Sequence, residues 1–271
     1  VKIWTVSNQK GGVGKTTTAV SLGGLLAEQG QRVLLLDLDP QGSLTSYFRL
    51  NPDGMQQSVY SLFAARAQDI DMQLPETLLK DTGVPRLSLM PASTAMATLD
   101  RQLGARGGMG LVISQALVRL QAQFDYVLMD CPPMLGVLMV NALAACDRLL
   151  IPVQTEFLAL KGLERMLHTL QMIGQSRGNA LPYTVIPTFF DRRTRASLDA
   201  LRVMRDVQGD HLWTRVVPID TQFREASRTG VPINVYNAQA RGTEAYRSLL
   251  RWLAGAQAAA SEPRPARVST R

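Results

Sequence analysis

The sequence predicts an α/β fold: a doubly wound, mainly parallel sheet with helices on both faces. Short runs rich in Val, Ile and Leu recur along the 271 residues, most of them without polar interruption, and helical patterns separate them. An uninterrupted apolar strand is one buried on both faces, which is the condition of a parallel sheet covered by helices. Alternation of strands and helices, rather than runs of hairpins, sets the same class.

In chain order the strand patterns are residues 2–7, 32–37, 86–90, 126–130, 148–153, 183–186 and 214–217. Residues 16–29 carry leucines at 22, 25 and 26, with Gly30 placed to stop a helix. Residues 51–83 are polar, with Pro52, Gly54 and Pro75, and read as an excursion of loop and helix. Residues 194–208 form an amphipathic pattern with Leu198, Leu201 and Met204 on one side and arginines on others. Residues 242–260 read as a closing helix, and the proline-containing, basic end of the chain as a disordered tail. The expected division is one domain over 1–258 and a tail over 259–271.

Composition excludes several classes. With 46% hydrophobic residues the chain can bury a core. Its apolar runs end in charges after about four to six residues, against the roughly 20 needed to cross a bilayer. A strand pattern followed at once by a glycine loop is not a secretory leader, so a cytoplasmic location is expected. Cys131 and Cys146 lie in apolar surroundings and read as buried reduced thiols, and with His168 and His211 as the only histidines a Cys/His metal site is not expected. The net charge of +7 is unevenly placed: residues 1–176 hold 14 basic and 14 acidic side chains, residues 177–271 hold 15 arginines and 8 acids. That asymmetry points to a basic face for a polyanion or an acidic partner, or else to a solvated basic surface.

Chemistry concentrates in the run Asn8-Gln-Lys-Gly-Gly-Val-Gly-Lys-Thr16. It lies between a strand and a helix, as a phosphate-binding loop must, but Gln9 stands where the usual motif has its first glycine, and Lys10 is an additional lysine. Gly11, Gly12 and Gly14 allow successive backbone N–H groups to turn inward around phosphate oxygens. Lys15 is placed to neutralise the outer phosphates and the Thr16 hydroxyl to ligate Mg²⁺. Asp37, Asp39 and Asp130 stand at the ends of buried strands, where an open α/β sheet gathers its ligands, and are candidates for magnesium and water. A period of two would place Asp37 and Asp39 on one strand face.

Together these residues resemble the ParA/MinD family of deviant-Walker ATPases, the ParA branch most closely. The resemblance runs through Lys10 to Thr16, Asp37-Leu-Asp-Pro-Gln41, Asp130-Cys-Pro-Pro133, Asn141-Ala-Leu143, Ile151-Pro-Val-Gln154 with Glu156 and Leu160, and Gly230-Val-Pro-Ile233. It implies a P-loop NTPase fold of the SIMIBI type, a Mg²⁺-dependent ATPase, and a homodimer formed with ATP, in which Lys10 reaches the partner's phosphates. It further implies that Asp39 positions the attacking water, that Asp130 and Asp37 support Mg²⁺ with Thr16, and that Val13 and Thr17 belong to the nucleotide loop. Phe189 and Pro218, with Thr188 nearby, mark the adenine neighbourhood.

The same resemblance implies nonspecific DNA binding through basic residues of the C-terminal half, and an activator that is ParB-like or otherwise linked to cargo. Arg192, Arg193, Arg195, Arg202, Arg205, Arg215, Arg224 and Arg228 are the DNA candidates. The chain departs from a common family pattern, since Ile219 rather than arginine follows Pro218. Residues 218–227 and 42–48 look more like relatives that position protein cargo, notably chemotaxis arrays, than like plasmid partition proteins. No helix-turn-helix extension precedes the phosphate loop, so specific operator binding is not expected.

Two other functions compete. A MinD-like membrane switch calls for a C-terminal amphipathic helix, and the Ala-Ala-Ala-Ser-Glu-Pro end has no such apolar face, so membrane binding is not expected. A redox or metal-cluster relative needs cysteines that bridge subunits, and Cys131 and Cys146 are not so arranged.

Overall fold

A computed structural model describes residues 1–66, 74–99, 101, 109–177 and 180–261. Its sheet has seven strands: β1 (Lys2–Val6), β2 (Val33–Asp37), β3 (Lys80–Asp81), β4 (Leu87–Met90), β5 (Tyr126–Asp130), β6 (Arg148–Gln154) and β7 (Tyr183–Thr188). They lie in the order β3-β4-β2-β5-β1-β6-β7, and only β3, paired with β4, runs antiparallel.

Among the described residues the α-helices are α1 (Lys15–Glu28), α2 (Ser43–Tyr47), α3 (Val59–Arg66), α4 (Leu74–Thr77), α5 (Val112–Leu120), α6 (Val137–Ala145), α7 (Phe157–Arg177), α8 (Arg195–Gln208), α9 (Gln222–Thr229), α10 (Ile233–Tyr236) and α11 (Arg241–Ser261). They cover both faces. Along β2, Leu34 and Leu36 pack with α3, α5 and α6, whereas Val33 and Leu35 pack with α1 and α11. The alternation is therefore present, but both sides of the strand are apolar because both are covered. Asp37, the last residue of β2, is opposite Asp130, the last of β5. Two carboxylates thus leave the sheet side by side.

β1 sits between β5 and β6, and the chain crosses it between those two strands. This is a topological switch point, and the crevice outside the carboxyl ends of the strands is where a doubly wound sheet binds ligands. The glycine loop leaves β1 into that crevice.

Several expectations change. Residues 214–217 do not form a strand; isolated bridges at Leu212 and Pro218 flank them. Backbone bonds from Trp213 to Val185 and from Val217 to Pro187 hold the segment beside β7, while Thr214 and Arg215 are exposed between them. Pro187 faces this segment and has no N–H to give, so a continuous ladder cannot be completed here. The 51–83 excursion contains α3, α4 and the antiparallel β3. On α8, Leu198 is exposed and Ser197 takes the inward place, bonded to Thr155. The closing helix runs to Ser261, so it takes in the first three residues of the expected 259–271 tail, and the rest of that tail lies outside the described residues. No helix among the described residues is long and apolar enough to cross a membrane.

Candidate nucleotide site

The loop is held open by its glycines. Gly12 and Gly14 have φ of 74° and 90°, a left-handed conformation that side chains with a Cβ rarely adopt. Gly14 caps α1 with its backbone only, so the first N–H groups of α1 face the crevice without a side-chain partner. The loop is tied down around its rim: Thr188 Oγ1 donates to the Val13 carbonyl at 2.9 Å, and Thr18 Oγ1 donates to the Gly14 carbonyl at 2.7 Å. The buried Tyr246 hydroxyl of α11 lies 2.8 Å from Thr18 Oγ1.

Gln9, at the place of the missing glycine, turns away from the crevice. Its amide donates to Thr169 Oγ1 on α7 at 2.9 Å, and the preceding Asn8 is fully buried, donating to the Pro152 carbonyl. The position needs no glycine because its side chain serves as an anchor to α7.

The two lysines separate in space. Lys15 is buried and its ammonium donates to the Lys10 carbonyl at 3.2 Å, folded across the loop. Lys10 Nζ donates instead to Glu156 Oε1, just before α7, and its Cβ packs where a Cβ on Gly162 would come within 3.3 Å. Both partners of this ion pair are half-buried.

The cavity, about 310 Å³, is lined by Gly11, Gly12, Gly14, Lys15, Thr16, Thr17, Asp39, Gln41, Ser43, Pro133 and Phe189. Thr16 Oγ1 donates to Asp130 Oδ2 at 2.6 Å. Asp130 Oδ1 is buried and takes no bond among the described residues. Burial, and then the neighbouring Asp37, push the Asp130 carboxyl up to about 8; burial pushes Asp37 up to about 7. Two buried carboxylates with this little compensating charge favour either a proton or a cation. A hydroxyl beside an orphaned carboxylate oxygen is a donor set of hard oxygens, which fits Mg²⁺.

The three aspartates have different places. Asp39 lines the cavity; its Oδ1 accepts from the Gln41 N–H at 3.0 Å. Asp130 and Asp37 do not line it: Asp130 meets it through its bond from Thr16, while Asp37 Oδ1 accepts from the Asp39 N–H, and Oδ2 from both the N–H and the hydroxyl of Thr45. The period of two ends with β2, so the strand face proposed for the pair does not extend to Asp39. Lys10 and Val13 are adjacent to the cavity without lining it. At the far end, the Phe189 ring lies against the loop, 3.5 Å from the place of a Cβ on Gly14, and its own φ is 52°. Pro218 bridges to Phe190 rather than lining the cavity.

Gln41, Ser43 and Pro133 line the cavity and were not among the expected site residues. Gln41 and Pro133 belong to the motifs that carry the resemblance, which was the available signal. Ser43 had none beyond its nearness to Asp39.

The candidate DNA arginines are all exposed. Arg193 pairs with Asp191, Arg195 and Arg202 both with Asp199, and Arg228 with Glu225. Arg192, Arg205 and Arg224 form no ion pair among the described residues, and Arg215 donates to Ser248 Oγ.

The chain matches the family model described as an AAA domain (AAA_31) over residues 1–182. It is 36% identical over 254 residues to the sporulation initiation inhibitor protein Soj of Bacillus subtilis, covering 93% of this chain and 98% of that one. It is 34% identical to the chromosome partitioning protein ParA of Caulobacter vibrioides, with 93% of each covered. Among solved structures, a protein described as cobyrinic acid a,c-diamide synthase from Mycobacterium smegmatis, with bound ADP and magnesium, superposes with a TM-score of 0.79 at 33% identity, covering 96% of each chain. An ATP complex of a substituted McdA from Cyanothece shares the fold, with a TM-score of 0.82 at 22% identity over 94% of this chain and 96% of that one. With its deviant phosphate loop at the switch point and relatives of this similarity over nearly its whole length, the chain belongs to the ParA/MinD family of P-loop ATPases.

Proposed function

We propose that this protein is an ATP-driven dimerisation switch that positions intracellular cargo, either DNA or a protein cluster such as a chemotaxis array. It hydrolyses ATP slowly until a cargo-linked activator of the ParB kind stimulates it. The observation that carries the switch is the separation of the two lysines: Lys15 folds over its own loop, while Lys10 is held outside the cavity by Glu156. A lysine that its own nucleotide does not require is available to another. Two ATP molecules facing each other across a two-fold axis repel, and a lysine supplied by each partner offsets that charge only in the dimer. Lys10 must leave Glu156 to do so, one half-buried ion pair being exchanged for contact with phosphate.

In this reading the phosphates lie on the backbone of Gly11 to Thr16, with Thr17 beside them and Lys15 neutralising the outer groups. Thr16 and Asp130 would hold Mg²⁺, which neutralises phosphate charge and orients it, and Asp37 supports that corner from behind. Asp39 holds the attacking water. Phe189 covers the base side, with Pro218 behind it. The exposed arginines of α8 and α9 bind the DNA backbone without reading sequence. The protein then works in the cytoplasm, on the nucleoid or at a pole.

The test is Lys10→Ala, assayed for ATP binding and for ATP-induced dimerisation by light scattering. The expected result is retained binding with the dimer lost. A variant that dimerises with ATP as the wild type does overturns the assignment of Lys10.

A further inference from the structure

The cavity residues Asp39, Gln41 and Ser43 come from one short connection between β2 and α2. A loop that carries a water-positioning carboxylate has to be held to a fraction of an ångström, since misplacement of about 1 Å costs on the order of 100-fold in rate. Asp39 does little to hold itself. Its Oδ1 accepts one backbone N–H, and its carbonyl accepts the Gly42 N–H at 2.8 Å, both local contacts that move with the loop.

Restraint from outside the loop comes through the preceding backbone, where the Leu38 N–H donates to the Asp130 carbonyl at 2.8 Å, and from behind through the Asp37 side chain. This carboxylate is fully buried at the end of β2, and its Oδ1 accepts from the Asp39 N–H at 3.1 Å. Its Oδ2 is held in turn by Thr45, whose N–H donates at 2.8 Å and whose hydroxyl donates at 2.6 Å. The same hydroxyl accepts from the Ala92 N–H at 2.8 Å, just past the end of β4. Thr45 is itself fully buried and does not line the cavity. One oxygen therefore joins the ends of two neighbouring strands to the short helix α2, with both its proton and a lone pair in use. Valine at this place would keep the volume and lose both bonds, leaving a buried N–H and a buried carboxylate with one donor fewer.

We infer that Thr45 is a positioning residue of the hydrolytic site: its hydroxyl sets the Asp37 carboxylate, and through it the backbone of Asp39. Thr45 is buried outside the cavity, so it acts through Asp37 and not on the reacting groups directly. The inference rests on the proposed role of Asp39.

The test measures kcat for ATP hydrolysis at saturating ATP, with nucleotide Kd in parallel, for T45V, T45A, T45S, D39A and the double variant D39A/T45V. T45V and T45A are expected to lower kcat about 10- to 100-fold with Kd within about twofold of wild type. T45S is expected to restore most of the rate lost in T45A, since these two differ by the hydroxyl alone. D39A/T45V is expected to be no slower than D39A, because the two residues act as a unit.

Wild-type kcat in T45V or T45A overturns the inference, as does a T45S variant no better than T45A. An added loss in the double variant equal to that of T45V alone shows that Thr45 acts elsewhere, and overturns it too. Should T45V not fold, the T45A and T45S pair carries the same decision. D39A with wild-type kcat is a different failure: it removes the proposed role of Asp39 itself. D39A inactive with T45A at full rate removes only that of Thr45.

Discussion

The carboxylate edge and the arginine face of this molecule hold charge in opposite ways. At the edge, Asp37 and Asp130 are at most 1% exposed and Asp39 is 8% exposed, and each has a place set by backbone or hydroxyl donors. On the face, the side chains of Arg193 and Arg195 are 83% and 95% exposed, and several arginines share acids three or four positions away. Exposed pairs of that kind contribute about 0–1 kcal/mol each. The edge therefore depends on geometry, so that one atom can matter greatly. The face depends on a sum of charges, where no single residue decides.

The largest effect is expected where charge and geometry coincide. Lys15→Ala should weaken ATP binding about 100-fold, about 2.7 kcal/mol, the value of losing one strong charge-assisted bond to phosphate, measured by calorimetry. A change under about threefold would mean that the loop backbone alone binds the nucleotide.

Packing around the loop comes next. A Cβ on Gly24 of α1 would lie 2.4 Å from Pro232 Cβ and 2.5 Å from Asn234 Oδ1. Gly24→Ala is expected to cost about 1–3 kcal/mol in denaturant unfolding, because the neighbour is a rigid ring rather than a flexible tip. An unchanged midpoint would show that the Gly230-to-Ile233 segment can yield.

The carboxylate edge also predicts a pH dependence. Asp37 and Asp130 are raised to about 7 and about 8 in the fold, above their ordinary value, so the folded state binds their protons more tightly than the unfolded state. The resulting stability is fully present below about pH 4 and is lost as pH rises through 7 and 8. In metal-free protein this contribution lowers Tm between pH 6 and 9, and Mg²⁺ with ADP should raise Tm more at pH 8.5 than at pH 6. Asp130→Asn should remove most of that difference; an unaltered difference would place its origin elsewhere.

The smallest effects belong to the face. Each of Arg202→Ala and Arg205→Ala should reduce the slope of log K against log salt for duplex DNA by about 1 and weaken all sequences alike. Loss confined to one sequence would contradict backbone binding. Arg228→Ala, which breaks the pair with Glu225, should change stability by no more than about 1 kcal/mol.

Much of this was legible in the chain because the signals are local. The apolar runs marked all the parallel strands, and Gly12, Gly14, Lys15 and Thr16 had to be adjacent to form a phosphate cradle. Residues 214–217 misled because a short apolar run says nothing about whether the strand it faces can donate hydrogen bonds, and Pro187 of β7 cannot. The two-residue β3 is too short to have a period. Leu198 was assigned inward by spacing alone, but Ser197 had the hydrogen-bond partner there, Thr155, 42 residues away.

By itself the sequence determined the fold class, the phosphate loop, the unequal charge of the two parts of the chain, and the identities of the three aspartates. These follow from composition and from residues within a few positions of one another. Tertiary structure decided which aspartate faces the cavity, that Gln9 turns to Thr169, that Lys10 rests on Glu156, and that Thr45 holds Asp37. Glu156 is 146 positions from Lys10 and Thr169 is 160 from Gln9. Such contacts depend on how α7 and α2 settle against the ends of the strands, and packing, not local pattern, sets that distance.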